Sequence, residues 1–149
     1  MGGKMGKDWV GNDNSVYKTL ASSNHTIEDR EEHDFYATEP KAMELLLDEE
    51  TFSKNVWECA CGLGQLSEVL KNRGYNVLST DLINRGYGQG NVDFLQIQTE
   101  YCGDIITNPP YKYATEFIYH ALSLIPNGFK VAMFFKNTIF RREKKERII

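Results

Sequence analysis

The sequence predicts an α/β fold, a sheet of about five parallel strands with helices packed on it. Three observations predict it. Short apolar runs of strand length stand at residues 56–61, 76–80, 92–95, 104–107 and 130–135. Helical apolar spacing separates them, at Ala42, Met43, Leu45, Leu46 and Leu47, at Leu66, Val69 and Leu70, and at Phe117, Ala121 and Leu124. A glycine turn, Cys61-Gly62-Leu63-Gly64, joins a strand to the helix after it, and strand, glycine turn and helix make a nucleotide-binding unit.

The bulk numbers fit one domain. The 149 residues suffice for a real core, and 41% apolar content is globular. With a net charge of -4, any nucleic-acid surface must be a local basic patch. No apolar stretch reaches membrane-spanning length, and no charged-then-apolar signal opens the chain. Position 6 is Gly6, where a myristoylation signal wants Ser or Thr. Three cysteines make no disulfide framework, so a reduced, cytoplasmic protein is expected.

In chain order, residues 1–30 read as a polar, partly disordered leader, or as an arm that folds over a ligand. Trp9 is its one large aromatic of note. Residues 31–149 are expected to form the domain. Thr38 is a good N-cap and Pro40 fits a first helical turn, so the first helix starts there. Gly74 stops the helix that follows the glycine turn. Asp81 then ends the strand 76–80, and an acid at that tip is placed to accept hydrogen bonds from ribose hydroxyls. Residues 82–90 carry three glycines, Arg85 and Tyr87; they read as a connector, with a mobile cover as the alternative. Pro126-Asn127-Gly128 is a turn before the last strand. Arg141, Arg142, Lys144, Lys145 and Arg147 form the chain's basic cluster, either a solvated helix end or a phosphate-contacting strip.

The chemistry concentrates at Asn108-Pro109-Pro110-Tyr111, where a buried strand ends and a helix has yet to start. Ligands bind at such strand ends in open α/β sheets. Two prolines make a stiff turn whose carbonyls cannot all enter a helix. Asn108 adds a side-chain acceptor and Tyr111 a flat ring. Together they can grip a planar group carrying an exocyclic NH2. Glu58 stands just before the glycine turn and Ser67 replaces a third glycine, which argues against a dinucleotide pyrophosphate. A carboxylate there favours a cation; at 4 Å and an effective dielectric near 20 the preference is roughly 4 kcal/mol before desolvation. Cys59 and Cys61 are C-x-C with no second pair at zinc spacing, so no metal is expected. His120 reads as packed or solvated, and His25 and His33 have no motif around them.

The Asn108-Pro109-Pro110-Tyr111 motif resembles that of S-adenosylmethionine-dependent methyltransferases acting on amino nitrogens, above all the Dam-type, phage-like DNA adenine-N6 enzymes. The resemblance covers residues 34–136. It implies a Rossmann-like class I methyltransferase sheet. It implies that Asn108, Pro109, Pro110 and Tyr111 are catalytic, and that S-adenosylmethionine is the cofactor, with S-adenosylhomocysteine as product and no metal. Glu58, Cys59, Ala60, Cys61, Gly62 and Gly64 look like the family's first cofactor motif. Phe35, Tyr36 and Thr38 would line the methionine end, Asp81 and Leu82 the ribose, and Asp93 and Phe94 the adenine. Asn108 would also face the cofactor.

Such enzymes close their sheet with two further strands, one antiparallel, and these are expected to be missing from a sheet of about five parallel strands. A fragment, a natural short form and a partner-dependent form are all open. An exposed last strand predicts a homodimer through that edge. DNA is the expected substrate, with RNA bases and protein glutamine amides as alternatives. A non-catalytic cofactor-binding module is the rival of a different class, and a nicotinamide-dependent enzyme the third.

Overall fold

In a computed structural model of the chain, the structure describes residues 40–136 and 138–146. The leader 1–30, together with Phe35, Tyr36 and Thr38, lies outside these residues, as does Arg147.

Helix α1 runs over Pro40–Glu49 and turns Met43, Leu46 and Leu47 inward. Strand β1 (Asn55–Glu58) leads through the glycine turn into α2 (Gln65–Asn72), which buries Leu66, Ser67, Val69 and Leu70. Strand β2 is Asn76–Ser79, β3 is Asp104–Thr107 and β4 is Lys130–Phe135. Helix α3 (Ala114–Leu124) connects β3 to β4 and buries Phe117, Ala121 and Leu124. Strand β5 is Thr138–Glu143.

These strands form one sheet in the order β2-β1-β3-β4-β5. Strands β1 to β4 are parallel, and β5 runs antiparallel to β4. Both faces of the sheet are covered, so the central strands are apolar on both sides. Val56, Ile106, Ala132 and Phe134 face α1 and α2; Trp57, Ile105, Val131 and Met133 face α3. At the far end from the glycine turn, the buried Asp104 carboxylate accepts the Ser53 and Lys130 N–H groups at 2.6 and 2.7 Å. It ties the starts of β3 and β4 to the segment before β1.

Three expectations are corrected. Residues 92–95 are not a strand. Asp93 caps a short 3-10 turn, Phe94–Gln96, by accepting the Leu95 N–H at 3.1 Å. The fifth strand lies further on, at Thr138–Glu143, and it is antiparallel, so the sheet is not five parallel strands. The apolar β4 is therefore not a bare edge, because β5 pairs along its whole length, from Phe135 with Thr138 to Lys130 with Glu143. The first part of the basic cluster is thus neither helix nor loop. Arg141 and Arg142 sit on a strand whose charged side chains suit an outer edge.

Candidate functional site

The strand order fixes where a ligand can sit. From β1 the chain passes to β2 on one side, then crosses back to β3 on the other. The C-terminal end of β1 is the switch point, the place where ligands bind in open α/β sheets. Pairing continues past the formal strand ends. The Thr80 N–H donates to the Glu58 carbonyl at 3.0 Å, and the Cys61 N–H to the Thr80 carbonyl at 2.9 Å. On the other side the Ala60 N–H donates to Thr107 Oγ1 at 3.2 Å. Carrying the register Glu58 with Ser79, and Trp57 with Ile105, past the strand ends puts Asp81 and Asn108 on opposite sides of Ala60. Two strand spacings separate them, roughly 10 Å. Sequence-distant residues are therefore brought to one crest.

Asp81 does two things there. Its Oδ2 accepts the Gly62 N–H at 2.7 Å and its Oδ1 accepts the Ile83 N–H at 2.9 Å, so it clasps the glycine turn to the tip of β2. The Leu82 N–H also bears on it, and a carboxylate has about four lone-pair sites in all. Burial pushes its carboxyl above the usual range, and these N–H donors and the nearby Arg85 oppose that. Leu82 follows it, half-buried.

Glu58 is placed differently from what its position before the turn suggests. It is 1% exposed, beneath the turn rather than open to the crest. Ser67 Oγ donates to its Oε1 at 2.5 Å and also lies 2.7 Å from Ser79 Oγ; Thr107 Oγ1 donates to its Oε2 at 3.4 Å. Desolvation lifts its carboxyl to about 8, helped by the like charge of Asp81 and opposed by the Ser67 and Thr107 hydroxyls. Burial thus favours the protonated form of Glu58. Burial, with no counter-charge beside it among the described residues, works against the expected standing carboxylate.

Cys59 and Cys61 are buried thiols whose acidity is suppressed, Cys61 up to about 12, chiefly by desolvation. Neither is activated as a nucleophile or a ligand. Among the described residues, no group of three His, Cys, Asp or Glu is placed to hold a metal.

Residues 82–90 form a strapped wall. The Gln89 N–H donates to the Ser79 carbonyl at 2.9 Å, and the Asp81 N–H to the Gln89 carbonyl at 3.0 Å. The Tyr87 ring lies against Gly64, whose φ is 90°; a methyl group there would come 2.4 Å from the ring. Tyr87 Oη donates to Glu68 Oε2 at 2.5 Å and accepts from Lys71 Nζ at 3.0 Å. Gly64 is thus required by its left-handed backbone and by a packed tyrosine. The connector reading fits these bonds; the sequence marks Tyr87 in this loop but not its packing on Gly64.

At the motif, Asn108 is half-buried and Pro109 buried. The Pro110 carbonyl accepts the Tyr113 N–H at 3.0 Å, opening a 3-10 turn, Tyr111–Tyr113, before α3. That commits the Pro110 carbonyl to the turn. Asn108 Oδ1 and Tyr111 Oη are both buried atoms.

Asp93 and Phe94 fit the adenine role poorly. Phe94 is 2% exposed and packs against Trp57, Phe117 and His120 at centroid distances of 5.2, 5.0 and 5.0 Å. Its ring faces belong to the core. Asp93 spends one oxygen on the cap. His120 is a packed histidine, with Nε2 2.8 Å from the Ile97 carbonyl.

No protein-family model matches the chain, and no curated protein matches it. Among solved structures it is similar to the N-methyltransferase NodS from Bradyrhizobium japonicum WM9, at 16% identity and a TM-score of 0.48, over 63% of this chain and 64% of that one. It is similar to magnesium protoporphyrin IX methyltransferase (ChlM) from Synechocystis PCC 6803, solved with bound SAM, at 18% identity and 0.46, over 80% and 70%. TehB from Haemophilus influenzae gives 15% identity and 0.45, over 82% and 43%. The chain thus spans less than two thirds of NodS and less than half of TehB. With TM-scores below 0.5, a functional reading rests on the site's own geometry.

Proposed function

We propose that the crest of this sheet binds S-adenosylmethionine and serves methyl transfer to an amino nitrogen, most directly adenine N6 in DNA. The observation that carries the reading is the placement of Asp81 and Asn108 on either side of the glycine turn at the switch point. An adenosine whose ribose hydroxyls donate to Asp81 can direct its 5′ substituent across Ala60 towards Asn108. The donor set fits such a group: the Asp81 carboxylate offers acceptors for ribose hydroxyls.

The cofactor, when bound, supplies an activated methyl group. The chain's own residues do the rest. An aromatic amino nitrogen is a poor nucleophile and gains positive charge as it is alkylated. Asn108 Oδ1 and the Pro109 carbonyl accept its two hydrogens and stabilise that charge, the cationic counterpart of an oxyanion hole. Tyr111 stacks on the base, a contact worth about 1–3 kcal/mol against the cost of extruding it. After transfer the methylated nitrogen sheds its extra proton to solvent, so no general base of tuned pKa is needed and a half-buried His120 is no obstacle.

Tritium transfer from labelled cofactor to DNA, RNA and protein, run in parallel, tests the reading. Label in DNA adenine is expected. Asn108→Ala should keep cofactor affinity within a few fold and lower transfer by about 10²–10³, the usual cost of one preorganised polar group. Label in none of the three polymers, or equal turnover by Asn108→Ala, would remove the assignment.

A further inference from the structure

Three carboxyl groups sit at the ends of the sheet, and their shells differ in kind. Asp81 is held by the N–H groups of Gly62 and Ile83, and Asp104 by those of Ser53 and Lys130. A backbone N–H only donates, so both shells suit a carboxylate. Glu58 is held chiefly by side-chain hydroxyls, Ser67 from α2 and Thr107 from β3, with Ser79 of β2 behind Ser67 and the Ser67 backbone adding a donor. A hydroxyl donates or accepts. Rotation of these O–H bonds satisfies Glu58 with its proton or without it. Among the described residues no cation balances it: the charged neighbour that bears on it is Asp81, of like sign, and the ionisable thiols of Cys59 and Cys61 flank it. Arg85 bears on Asp81 and Cys61 instead. Glu58, Ser67 and Thr107 are each no more than 1% exposed, directly under the glycine turn.

Resting on the cofactor reading above, we propose that Glu58 carries a proton in the unliganded protein and gives it up to solvent when a cationic nucleoside binds over the glycine turn. The bond broken is the carboxyl O–H. The proton leaves to buffer, and the electron pair stays on the carboxylate, which then accepts from Ser67 and Thr107. The ligand's ammonium or sulfonium supplies the positive charge that the protein's shell lacks. The elevated carboxyl pKa, about 8 instead of 4.5, agrees with this. Binding and ionisation are then linked: the cation strengthens as a ligand when pH rises towards 8, and each binding event costs a proton.

The test is calorimetry of S-adenosylmethionine and S-adenosylhomocysteine binding at pH 7 in two buffers of different ionisation enthalpy. Wild type should release about one proton per ligand. Glu58→Gln should release none beyond any from the ligand itself, which is common to both proteins. Should Glu58→Gln fail to fold, Ser67→Ala replaces it; loss of a donor to the ionised form should move the pH midpoint of affinity upwards. A second readout needs no ligand. The wild-type melting temperature should fall between pH 5 and 8, because the folded group keeps a proton that the unfolded one has lost, and in Glu58→Gln that part of the slope should be gone, whatever slope Asp81, Asp104 and His120 leave in both proteins. Binding without proton release, or release equal in both proteins, overturns this proposal alone. Parallel melting profiles overturn it too. Absence of binding by either ligand removes the cofactor reading and this inference with it.

Discussion

At the scale of single residues, Asp81 clasps the glycine turn, and in the proposed function it also receives the ribose. Its oxygens hold Gly62 and Ile83 in place. Asp81→Ala removes both functions. It should cost about 2–4 kcal/mol of stability, since two N–H groups lose their acceptor, and abolish cofactor binding. Asp81→Asn keeps one carbonyl acceptor, so its loss of affinity should exceed tenfold while its melting temperature drops less than that of Asp81→Ala. Equal affinity of Asp81→Asn and wild type in calorimetry would remove the ribose assignment. Phe94 is the opposite case, a residue whose motif suggests a ligand and whose surroundings are core. Phe94→Ala should destabilise the protein by about 3–5 kcal/mol in urea unfolding, the cost of emptying a buried aromatic site. A change below 1 kcal/mol would return Phe94 to the adenine.

At the scale of elements, the glycine turn is a joint between three pieces of chain. Asp81 clasps it from below β2's tip, and Tyr87 lies on its outer flank with Glu68 and Lys71 fixing the hydroxyl. Gly64→Ala meets both a left-handed backbone and the tyrosine ring. It should destabilise by about 1–3 kcal/mol, as strained positions and overpacking do. Removing the ring should relieve the second part. In a double-mutant cycle, Gly64→Ala combined with Tyr87→Ala should cost at least 0.5 kcal/mol less than the sum of the two. Strict additivity would mean that the turn, rather than the tyrosine, demands glycine. Residues 82–90 were legible as a loop from their glycines, but not their straps. Backbone bonds from Gln89 to the end of β2 carry no side-chain signature.

For the whole molecule, β5 decides whether the sheet is closed. Ile139 packs with the α1–α2 face and Phe140 with the α3 face, and Arg141 lies 3.3 Å from Glu49 Oε1. A chain shortened to end at Lys136 loses both apolar contacts and bares β4. It should lose about 3 kcal/mol, from two partly buried apolar side chains, and self-associate through the bared strand. Size-exclusion chromatography checks this; a monomer of unchanged melting temperature would show that β5 contributes nothing. The expectation of a dimer through a bare β4 no longer has that edge to stand on.

The sequence by itself determined the α/β class, the alternation of elements, the glycine turn, the acid at the tip of β2 and the prolyl corner after β3. Each of these is local: apolar period, turn chemistry and capping act within a few residues, and the letters show them. Strand β5 was missed because its Arg141, Arg142 and Glu143 read as a solvated run, whereas an edge strand tolerates charge on its outer side. Only tertiary structure decided that Glu58 is buried among hydroxyls and that Phe94 is core. It also brought Asp81 and Asn108 to flank one turn. Those outcomes depend on which strands become neighbours, and neighbours across a sheet are separated by tens of residues in the chain.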